Sequence, residues 1–380
     1  MIKRQIRDGN VYTEQGRFVN KILYLAGDRI VDGSEYIRID CPEEIVEAEG
    51  CYVIPGLTDI HFHGCVGYDC CDGTEEAFRA MAEYELKQGV TTITPATMTM
   101  SEETLMQIAH AAAAFSGESG AVFCGLYMEG PFINPEKKGA QNGAYIRKPD
   151  IDLFERLQEA SGGKFRTVVV APEMEGSMEF IRALAGKVNI SLAHTTADYE
   201  TACLAFSCGA SQLTHLYNAM MPYTHRAPGP IGAAADSKDC RAELICDGIH
   251  IHPAVVRTTF KMFGDDRIIL ISDSMSATGM QDGDYELGGQ RVIVKGNRAV
   301  LEDGTIAGSA TNLMDCMRIA VKEMGIPLES AVKCAAVNPA KAIGIYDQFG
   351  SLTPGKYGNV VILDRDLALR QVYRKGEAVL

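Results

Sequence analysis

Two histidines separated by one residue, His61 and His63, follow an apolar run at residues 54–60. In a β-strand, residues i and i+2 point to the same face, so the two imidazoles can reach one point in space. A divalent metal ion requires that convergence, because imidazole nitrogens bind it at about 2.0–2.1 Å. An isolated His-x-His pair is more often two hydrogen-bonded histidines at a strand end. The metal interpretation therefore depends on further ligands later in the chain.

Further candidate ligands do follow later apolar segments. The six candidates are His61, His63, Glu129, His194, His215 and Asp273. Imidazoles and carboxylates that end different strands are a donor set typical of a divalent metal site. Any one of them alone would more often be structural, but the coincidence of six favours a metal site. These ligand types suit zinc, iron, manganese or cobalt and do not choose among them.

The elements that must position these residues alternate between strand and helix. Apolar strand candidates lie at residues 53–60, 90–95, 121–128, 166–171, 188–193, 211–215, 241–246 and 267–272. Helical patterns separate most of them, and the clearest runs from Glu75 to Gln88 before Gly89. This order predicts an α/β fold, a (β/α)8 barrel. An open doubly wound sheet is the competitor, but the candidate ligands end strands spread across the whole set, as in a barrel.

Both ends of the chain have a different texture, rich in short strand signals and turn residues. The strand-like segments are residues 21–25, 36–39, 358–363 and 370–373. They predict a small β-sandwich domain built from residues 1–52 and 346–380, which leaves residues 53–345 for the barrel. Residues 282–298 are typical of a β-hairpin insertion, and Ser309 is the predicted N-cap of the helix that follows.

Charge and composition limit the class of partner. The 380 residues include 36 Lys and Arg against 50 Asp and Glu, a net charge of −14, which argues against nucleic acid or an acidic membrane as partner. A small anionic substrate would need a local group of donors. The twelve cysteines lack the spacing of a disulfide framework, and no apolar run reaches membrane-spanning length. Because the N-terminus also lacks a signal-like apolar segment, we predict a cytoplasmic protein with reduced thiols.

Five longer motifs spread along the chain carry a more specific signal. They lie at residues 55–61, 128–135, 215–220, 247–250 and 304–309. Together they resemble the amidohydrolase superfamily, and within it the amino-sugar 6-phosphate deacetylases, over effectively the full length. Met-Glu-Gly-Pro-Phe and His-Leu-Tyr-Asn-Ala-Met are far more specific than His-x-His, which the whole superfamily shares. The resemblance implies removal of acetate from N-acetyl-D-glucosamine 6-phosphate to give D-glucosamine 6-phosphate, in amino-sugar catabolism and recycling.

The resemblance also implies roles for the candidate ligands. Glu129, His194 and His215 would hold the principal metal, with one position open for water. Asp273 would be the general base that later gives its proton to the departing amine. Some members lack one or both of the first histidines, whereas both are present here. A second metal bridged by Glu129 is therefore chemically possible, so we expect one or two divalent metals per chain.

A second group of residues is implied to bind substrate. These are Gln141, Asn218, Ala219, Arg226 and His250. In the family, the last histidine and the Asn-Ala pair bind the sugar phosphate. Arg226 resembles an arginine that reaches the phosphate in the neighbouring chain of a homodimer. Gln141 stands where many members have a histidine that contacts substrate, and glutamine can donate a hydrogen bond but carries no charge.

Three alternatives stay open beside this interpretation. The galactosamine isomer could be the substrate of the same reaction. A cyclic-amide hydrolase usually employs a carboxylated lysine bridge, and Glu129 fills that position here. A non-catalytic binding protein on a hydrolase barrel would have lost ligands or the base, whereas this chain has all six candidates. Cys65, Cys70 and Cys71 are interpreted as thiols near the site, and His252 as a surface or capping residue.

Overall fold

A computed structural model describes residues 2–379, which form an α/β protein. The strands are β1 (Lys3–Arg7), β2 (Asn10–Tyr12), β3 (Phe18–Asn20), β4 (Leu23–Ala26), β5 (Arg29–Val31), β6 (Glu43–Glu47), β7 (Tyr52–Pro55), β8 (Leu57–Asp59), β9 (Gly64–Cys65), β10 (Tyr68–Asp69), β11 (Val90–Ile93), β12 (Ala96–Thr97), β13 (Val122–Phe123), β14 (Leu126–Met128), β15 (Phe165–Val170), β16 (Asn189–Leu192), β17 (Gln212–Leu213), β18 (Arg241–Ile245), β19 (Ile268–Ile271), β20 (Gly283–Leu287), β21 (Gln290–Lys295), β22 (Arg298–Leu301), β23 (Val360–Leu363), β24 (Leu369–Arg374) and β25 (Glu377–Ala378). The α-helices are α1 (Gly33–Arg38), α2 (Glu75–Lys87), α3 (Glu102–Ala114), α4 (Ile151–Ala160), α5 (Ser177–Leu184), α6 (Tyr199–Cys208), α7 (Gly229–Asp236), α8 (Pro253–Phe263), α9 (Leu313–Lys322), α10 (Leu328–Val332) and α11 (Asn338–Ala342).

The centre of the molecule is a curled sheet of seven parallel strands, in the order β12-β14-β15-β16-β17-β18-β19. A three-stranded parallel sheet, β13-β11-β8, lies beside it. Each of the eight strand segments predicted from the sequence overlaps one of these strands, and helices connect most of them. Parallel strands place their carboxyl ends at one edge of the sheet, where the candidate ligands follow them.

Backbone hydrogen bonds join the segment after β8 to strands on both sides. Asp273 N donates to His61 O at 3.0 Å, and His63 N donates to Ser274 O at 2.7 Å. On the other side, Ala96 N donates to Phe62 O at 2.7 Å. The chain that follows β8 therefore lies between the ends of β19 and β12, which brings the first two histidines beside Asp273.

Strands from both chain ends build two further sheets. One has the order β5-β4-β1-β6, and the other has the order β25-β24-β23-β7-β2-β3. Apolar side chains of both sheets share a buried cluster that includes Ile6, Leu25, Val53, Ile362 and Tyr373. The predicted strand at 53–60 is split, because β7 pairs in the six-stranded sheet whereas β8 pairs with β11.

The prediction of a strand at residues 36–39 was wrong, because most of that segment lies in helix α1. Asp32 is its N-cap, and the carboxylate accepts hydrogen bonds from Ser34 N at 2.8 Å and Glu35 N at 2.9 Å. A cap satisfies amide groups that the first helical turn leaves without partners. Here the cap outweighed the β-propensity of Tyr36 and Ile37.

The helix start predicted at Ser309 was also wrong. Helix α9 begins at Leu313 with Asn312 as N-cap, whose side chain accepts from Asp315 N at 2.9 Å. Ser309 instead forms an isolated bridge with Ser274, and its hydroxyl donates to a backbone carbonyl in the segment leaving β19. His252, by contrast, is confirmed as a capping residue at the start of α8.

Helix α2 matches its prediction closely and buries an unexpected acid. Thr74 caps it, and the apolar face that includes Phe78 and Met81 is fully buried. Glu85 lies on the same buried face, and neither of its carboxylate oxygens has a hydrogen-bond partner among the residues described. Burial, with the nearby Asp59 carboxylate, raises the pKa of Glu85 well above its ordinary value.

The predicted hairpin insertion is a three-stranded antiparallel sheet, β20-β21-β22. Leu287, at the end of β20, reaches the cavity described below, and the Gln290 side chain donates to Ala140 O. Among residues 2–379, no helix combines the length and apolar character needed to cross a bilayer.

Candidate metal centre

Three of the candidate ligands form what we call the principal cluster: Glu129, His194 and His215. They follow β14, β16 and β17, so each comes from a different strand of the curled sheet. Glu129 Oε1 lies 3.1 Å from His194 Nε2 and 2.9 Å from His215 Nε2. The two Nε2 atoms are 3.2 Å apart. Three potential ligand atoms therefore converge within the space of one ion.

The other three form the second cluster: His61, His63 and Asp273. His63 Nε2 lies 3.3 Å from Asp273 Oδ1, and His61 Nε2 lies 3.8 Å from the same oxygen. Glu129 Oε2 approaches these rings as well, at 3.1 Å from His63 Nε2 and 3.7 Å from His61 Nε2. One carboxylate thus presents Oε1 to the principal cluster and Oε2 to the second.

Backbone conformation at the strand ends turns several of these side chains inward. His194, His215 and Asp273 have φ angles of 45°, 29° and 50°, in the left-handed region that non-glycine residues rarely adopt. Such strain is concentrated at functional sites, where the surrounding structure maintains it. All three residues come just after buried strands of the curled sheet, so the strain occurs where the chain must change direction.

Ring orientation provides a test of whether these residues fit a metal ion. The Nδ1 atom of His194 lies 2.8 Å from Lys137 O, and that of His63 lies 3.2 Å from Ala96 O. Because a carbonyl oxygen only accepts, both Nδ1 atoms must donate, which leaves Nε2 of the neutral ring with a lone pair. In this neutral form the lone pairs would face carboxylate oxygens, so a cation is needed between them, either a proton when metal is absent or a bound metal ion. Within residues 2–379, His61 Nε2 and Asp273 Oδ1 are also buried without a hydrogen-bond partner. The donor set fits divalent metal.

The pKa shifts of the ligand residues show that their carboxylates and imidazoles interact strongly. Burial alone would raise the pKa of Glu129, but the surrounding histidines hold it well below its ordinary value. Burial would lower the pKa of His63, but hydrogen bonds to Asp273 and Glu129 raise it to about 10. The pKa of Asp273 is lowered against its burial by His63 and His61. Without a metal, the protein compensates these carboxylates with protons on the rings.

Both clusters lie against a cavity of about 370 Å³. Of the predicted substrate-binding residues, four line it: Gln141, Asn218, Ala219 and His250. His250 Nδ1 lies 2.7 Å from Asp247 Oδ2, which fixes the ring orientation. Arg226 lies outside this cavity, on an exposed segment that begins at Met221.

Gln141 lines the cavity, but its side chain also contacts Glu129, in addition to its predicted contact with substrate. The side chain is buried, its Oε1 accepts from Thr99 N at 2.6 Å, and its Nε2 donates to Glu129 Oε2 at 2.8 Å. It therefore supports the carboxylate that joins the two clusters. A neutral amide can donate this hydrogen bond without competing for the metal.

Sequence reasoning missed two buried acids that orient site histidines, Asp247 and Glu243. Asp247 belongs to the motif at 247–250, yet only the histidine of that motif was assigned a role. Glu243 Oε2 lies 2.9 Å from His61 Nδ1. A signal for Glu243 was available, since it is a charged residue inside the otherwise apolar part of strand β18.

Comparison with known proteins identifies the family and agrees with the fold. The chain belongs to the amidohydrolase family, whose sequence profile matches residues 52–379. It is 38% identical over 330 residues to N-acetylglucosamine-6-phosphate deacetylase of Bacillus subtilis, covering 85% of this chain and 83% of that protein. It is 33% identical over 377 residues to N-acetylgalactosamine-6-phosphate deacetylase of Escherichia coli O157:H7, covering 98% of each.

A solved structure gives the same result. A mutant N-acetyl-D-glucosamine-6-phosphate deacetylase of Mycobacterium smegmatis, in complex with N-acetyl-D-glucosamine-6-phosphate, superposes with a TM-score of 0.90 at 32% identity. The match covers 99% of this chain and 98% of that one. The resemblance predicted from the motifs is therefore confirmed.

Proposed function

We propose that this protein is a metal-dependent deacetylase that hydrolyses N-acetyl-D-glucosamine 6-phosphate to acetate and D-glucosamine 6-phosphate, in amino-sugar catabolism and recycling. The observation that carries the proposal is the pair of ligand clusters joined by Glu129 at the wall of one cavity. The relatives named for this reaction support the choice of substrate. The E. coli relative supports the galactosamine isomer as a second candidate.

We propose that Glu129, His194 and His215 would hold one divalent metal and that His61, His63 and Asp273 would hold another. The ligand types suit zinc, iron, manganese or cobalt. Metal bound there would supply Lewis acidity to the acetyl carbonyl and to the attacking water. Every remaining task in the reaction falls to side chains of the protein.

Asp273 is proposed as the group that moves the proton. An aspartate side chain is ionised at neutral pH, so Asp273, which lies at the wall of the cavity, can accept a proton from the attacking water. As the oxygen of that water bonds to the acetyl carbon, the C–N bond breaks and the amine nitrogen must take up a proton. Asp273 returns the proton to that nitrogen, so acetate and the free amine leave with Asp273 ionised again.

Substrate recognition is proposed to depend on the polar residues of the cavity wall. With Nδ1 fixed by Asp247, the His250 ring can present Nε2 to the sugar phosphate. Asn218 and Ala219 line the same wall. Arg226, exposed and outside its own cavity, is proposed to reach the phosphate of the neighbouring chain in a homodimer. Gln141 is proposed to contact substrate while it holds Glu129.

The domain arrangement is also a proposal. We propose a complete (β/α)8 barrel at residues 53–345 and a β-sandwich domain from residues 1–52 and 346–380. The hydrogen bonds between the end of β8 and the end of β19 support closure of the barrel. The separate buried cluster shared by the two outer sheets supports the second domain. The cytoplasmic location stays a prediction.

The function is tested by assaying acetate release from the two N-acetylated amino-sugar 6-phosphates, after metal removal and reloading with one defined metal at a time. We expect the glucosamine isomer to be hydrolysed with the higher kcat/KM. A higher kcat/KM for the galactosamine isomer would select the second candidate. No acetate from either sugar with any of the four metals would contradict the deacetylase proposal.

A further inference from the structure

Glu243 is a buried carboxylate on β18 whose place the reaction above does not explain. The side chain has no exposed surface, and its neighbours Ala242, Leu244 and Ile245 are apolar and buried. An ionised carboxylate in such surroundings is costly unless donors satisfy it. Its donors therefore indicate the purpose of this residue.

Three donors converge on Glu243. His61 Nδ1 lies 2.9 Å from Oε2, the backbone N of His215 lies 3.2 Å from the same oxygen, and Gln212 Nε2 donates to Oε1 at 2.5 Å. Of these contacts, only the one with His61 reaches a ring. The ring of His215 has no hydrogen-bond partner at Nδ1 among the described residues.

The contact with Glu243 determines how His61 presents its other nitrogen. With Nδ1–H donating to the carboxylate, Nε2 of the neutral ring carries a lone pair. This atom points to Glu129 Oε2 and Asp273 Oδ1, at 3.7 and 3.8 Å. A carboxylate acceptor behind the ring also increases the basicity of the ligand nitrogen.

The remaining freedom of the His61 ring is limited by stacking. The ring of Tyr127 lies parallel to it within 20°, with centroids 4.3 Å apart. Tyr127 is itself held by a hydrogen bond of 2.7 Å between its hydroxyl and Thr214 Oγ1. Stacking fixes the plane of the imidazole but allows a 180° turn about the Cβ–Cγ bond, which keeps that plane. The hydrogen bond from Nδ1 to Glu243 selects one of these two orientations.

We propose that Glu243 is a positioning residue for His61 and that it determines whether the second cluster binds its metal. The proposal rests on the two-metal centre of the proposed function. The principal cluster does not depend on this residue in the same way, since His194 is oriented by Lys137 O. Loss of Glu243 should therefore affect the two clusters unequally.

The test is zinc binding by the full-length chain, measured after chelation as zinc per chain and as the dissociation constant of each site. We expect two zinc ions in the parent. In Glu243→Ala, the weaker site should lose affinity by about 10- to 100-fold, the usual effect of removing a partner of a metal-ligating histidine. Glu243→Gln keeps an oxygen that accepts from Nδ1, so it should largely restore the second ion. Glu85→Ala, which removes another fully buried carboxylate, should keep both ions.

Several outcomes would overturn the proposal. These are a parent with one zinc ion, a Glu243→Ala variant whose two dissociation constants stay within about threefold of the parent, and equal weakening of both sites. If Glu243→Ala does not fold, a second measurement takes its place. This is the NMR resonance of the His61 side-chain N–H, assigned by its absence in His61→Ala. That resonance should shift in Glu243→Gln, and an unchanged resonance would overturn the proposal. None of these measurements involves acetate release, so they separate this proposal from failure of the deacetylase function.

Discussion

The two ligand clusters are similar in composition but are built differently. The principal cluster takes its ligands from the ends of three strands of one sheet, and a backbone carbonyl orients His194. The second cluster takes two ligands from the segment after β8 and one from the end of β19, and a buried carboxylate orients His61. Glu129 contacts both.

This difference indicates that the two clusters differ in how easily a substitution can alter them. A ligand oriented by the backbone keeps its geometry as long as the fold persists. A ligand oriented by a buried charge depends on one further side chain, which a single substitution can remove. We therefore expect the second cluster to be the more easily altered of the two.

The largest effect is expected for Asp273→Asn. The amide keeps the shape and an oxygen ligand but cannot carry the proton from water to amine. General acid–base catalysis contributes on the order of 10²–10⁴-fold, so kcat should fall by at least that range. Metal analysis should still find the principal ion, because its three ligands are unchanged. A variant that keeps its metal and releases acetate within a few-fold of the parent rate would exclude Asp273 as the base.

The next prediction separates the clusters directly. The double substitution His61→Ala with His63→Ala removes two of the three terminal ligands of the second cluster and should lower bound metal by about one equivalent per chain. The matched double substitution His194→Ala with His215→Ala should remove the other equivalent. Elemental analysis of the two variants and the parent measures the metal bound per chain. Unchanged metal in the first variant would mean that the second cluster holds none.

Recognition of the substrate phosphate by Arg226 gives a third prediction. Arg226→Ala should raise KM for the phosphorylated sugar by roughly 10- to 100-fold, the range expected when a charge-assisted hydrogen bond of about 1.5–3 kcal/mol is lost. Unphosphorylated N-acetylglucosamine should be a far poorer substrate of the parent and should be little affected by the variant. Equal losses on both sugars would count against a phosphate role for Arg226.

Metal binding at the second cluster should depend on pH. In the metal-free protein the pKa of His63 is raised to about 10, so near neutral pH its ring holds a proton that a metal ion must displace. Because metal binding releases this proton, affinity at the second cluster should rise about tenfold per pH unit for each proton released. Isothermal titration in buffers of different ionisation enthalpy measures the release. The His61→Ala, His63→Ala variant should release fewer protons than the parent. Some release should remain, because burial lowers the pKa of His215 but Glu129 raises it above its ordinary value.

The smallest effect is expected at Glu85, a buried acid that has no hydrogen-bond partner among residues 2–379. Because the pKa of Glu85 is raised, the folded state keeps a proton that the unfolded state loses above about pH 4–5, so stability falls as pH rises. Glu85→Gln has no such proton. Its stability relative to the parent should increase with pH, by at most about 1.4 kcal/mol per unit. Denaturant unfolding in a mildly acidic and a mildly alkaline buffer tests this, and a constant difference would contradict it.

Much of the architecture could be predicted from the sequence, because apolar strands, glycine caps and strand-end ligands are local signals. The eight segments that overlap the observed strands and the amphipathic helix α2 are examples. The signals failed where a polar side chain changed the local preference, as with Asp32 capping α1, or where a serine bonded to a distant carbonyl, as with Ser309.

The supporting contacts of the site were harder to predict, because they join residues far apart in the chain. Glu243 and His61 are 182 positions apart, and their hydrogen bond exists only once β18 and the segment after β8 meet in the folded protein. Gln141 appeared to be a substitution for a substrate-binding histidine, whereas in the fold it also holds Glu129. Spacing identifies ligands, but the residues behind them require the tertiary structure.

The six-stranded outer sheet has a consequence for how the protein is made. Strand β7 pairs with β2 on one side and with β23 on the other, and Val53 faces Ile362 across that second pairing. On the ribosome, β7 emerges before its second neighbour, which follows the whole of the curled sheet in the sequence. Until then β7, which leads directly into the segment carrying His61, presents an open edge that invites non-native pairing. Incomplete nascent chains should therefore be the form most dependent on chaperones.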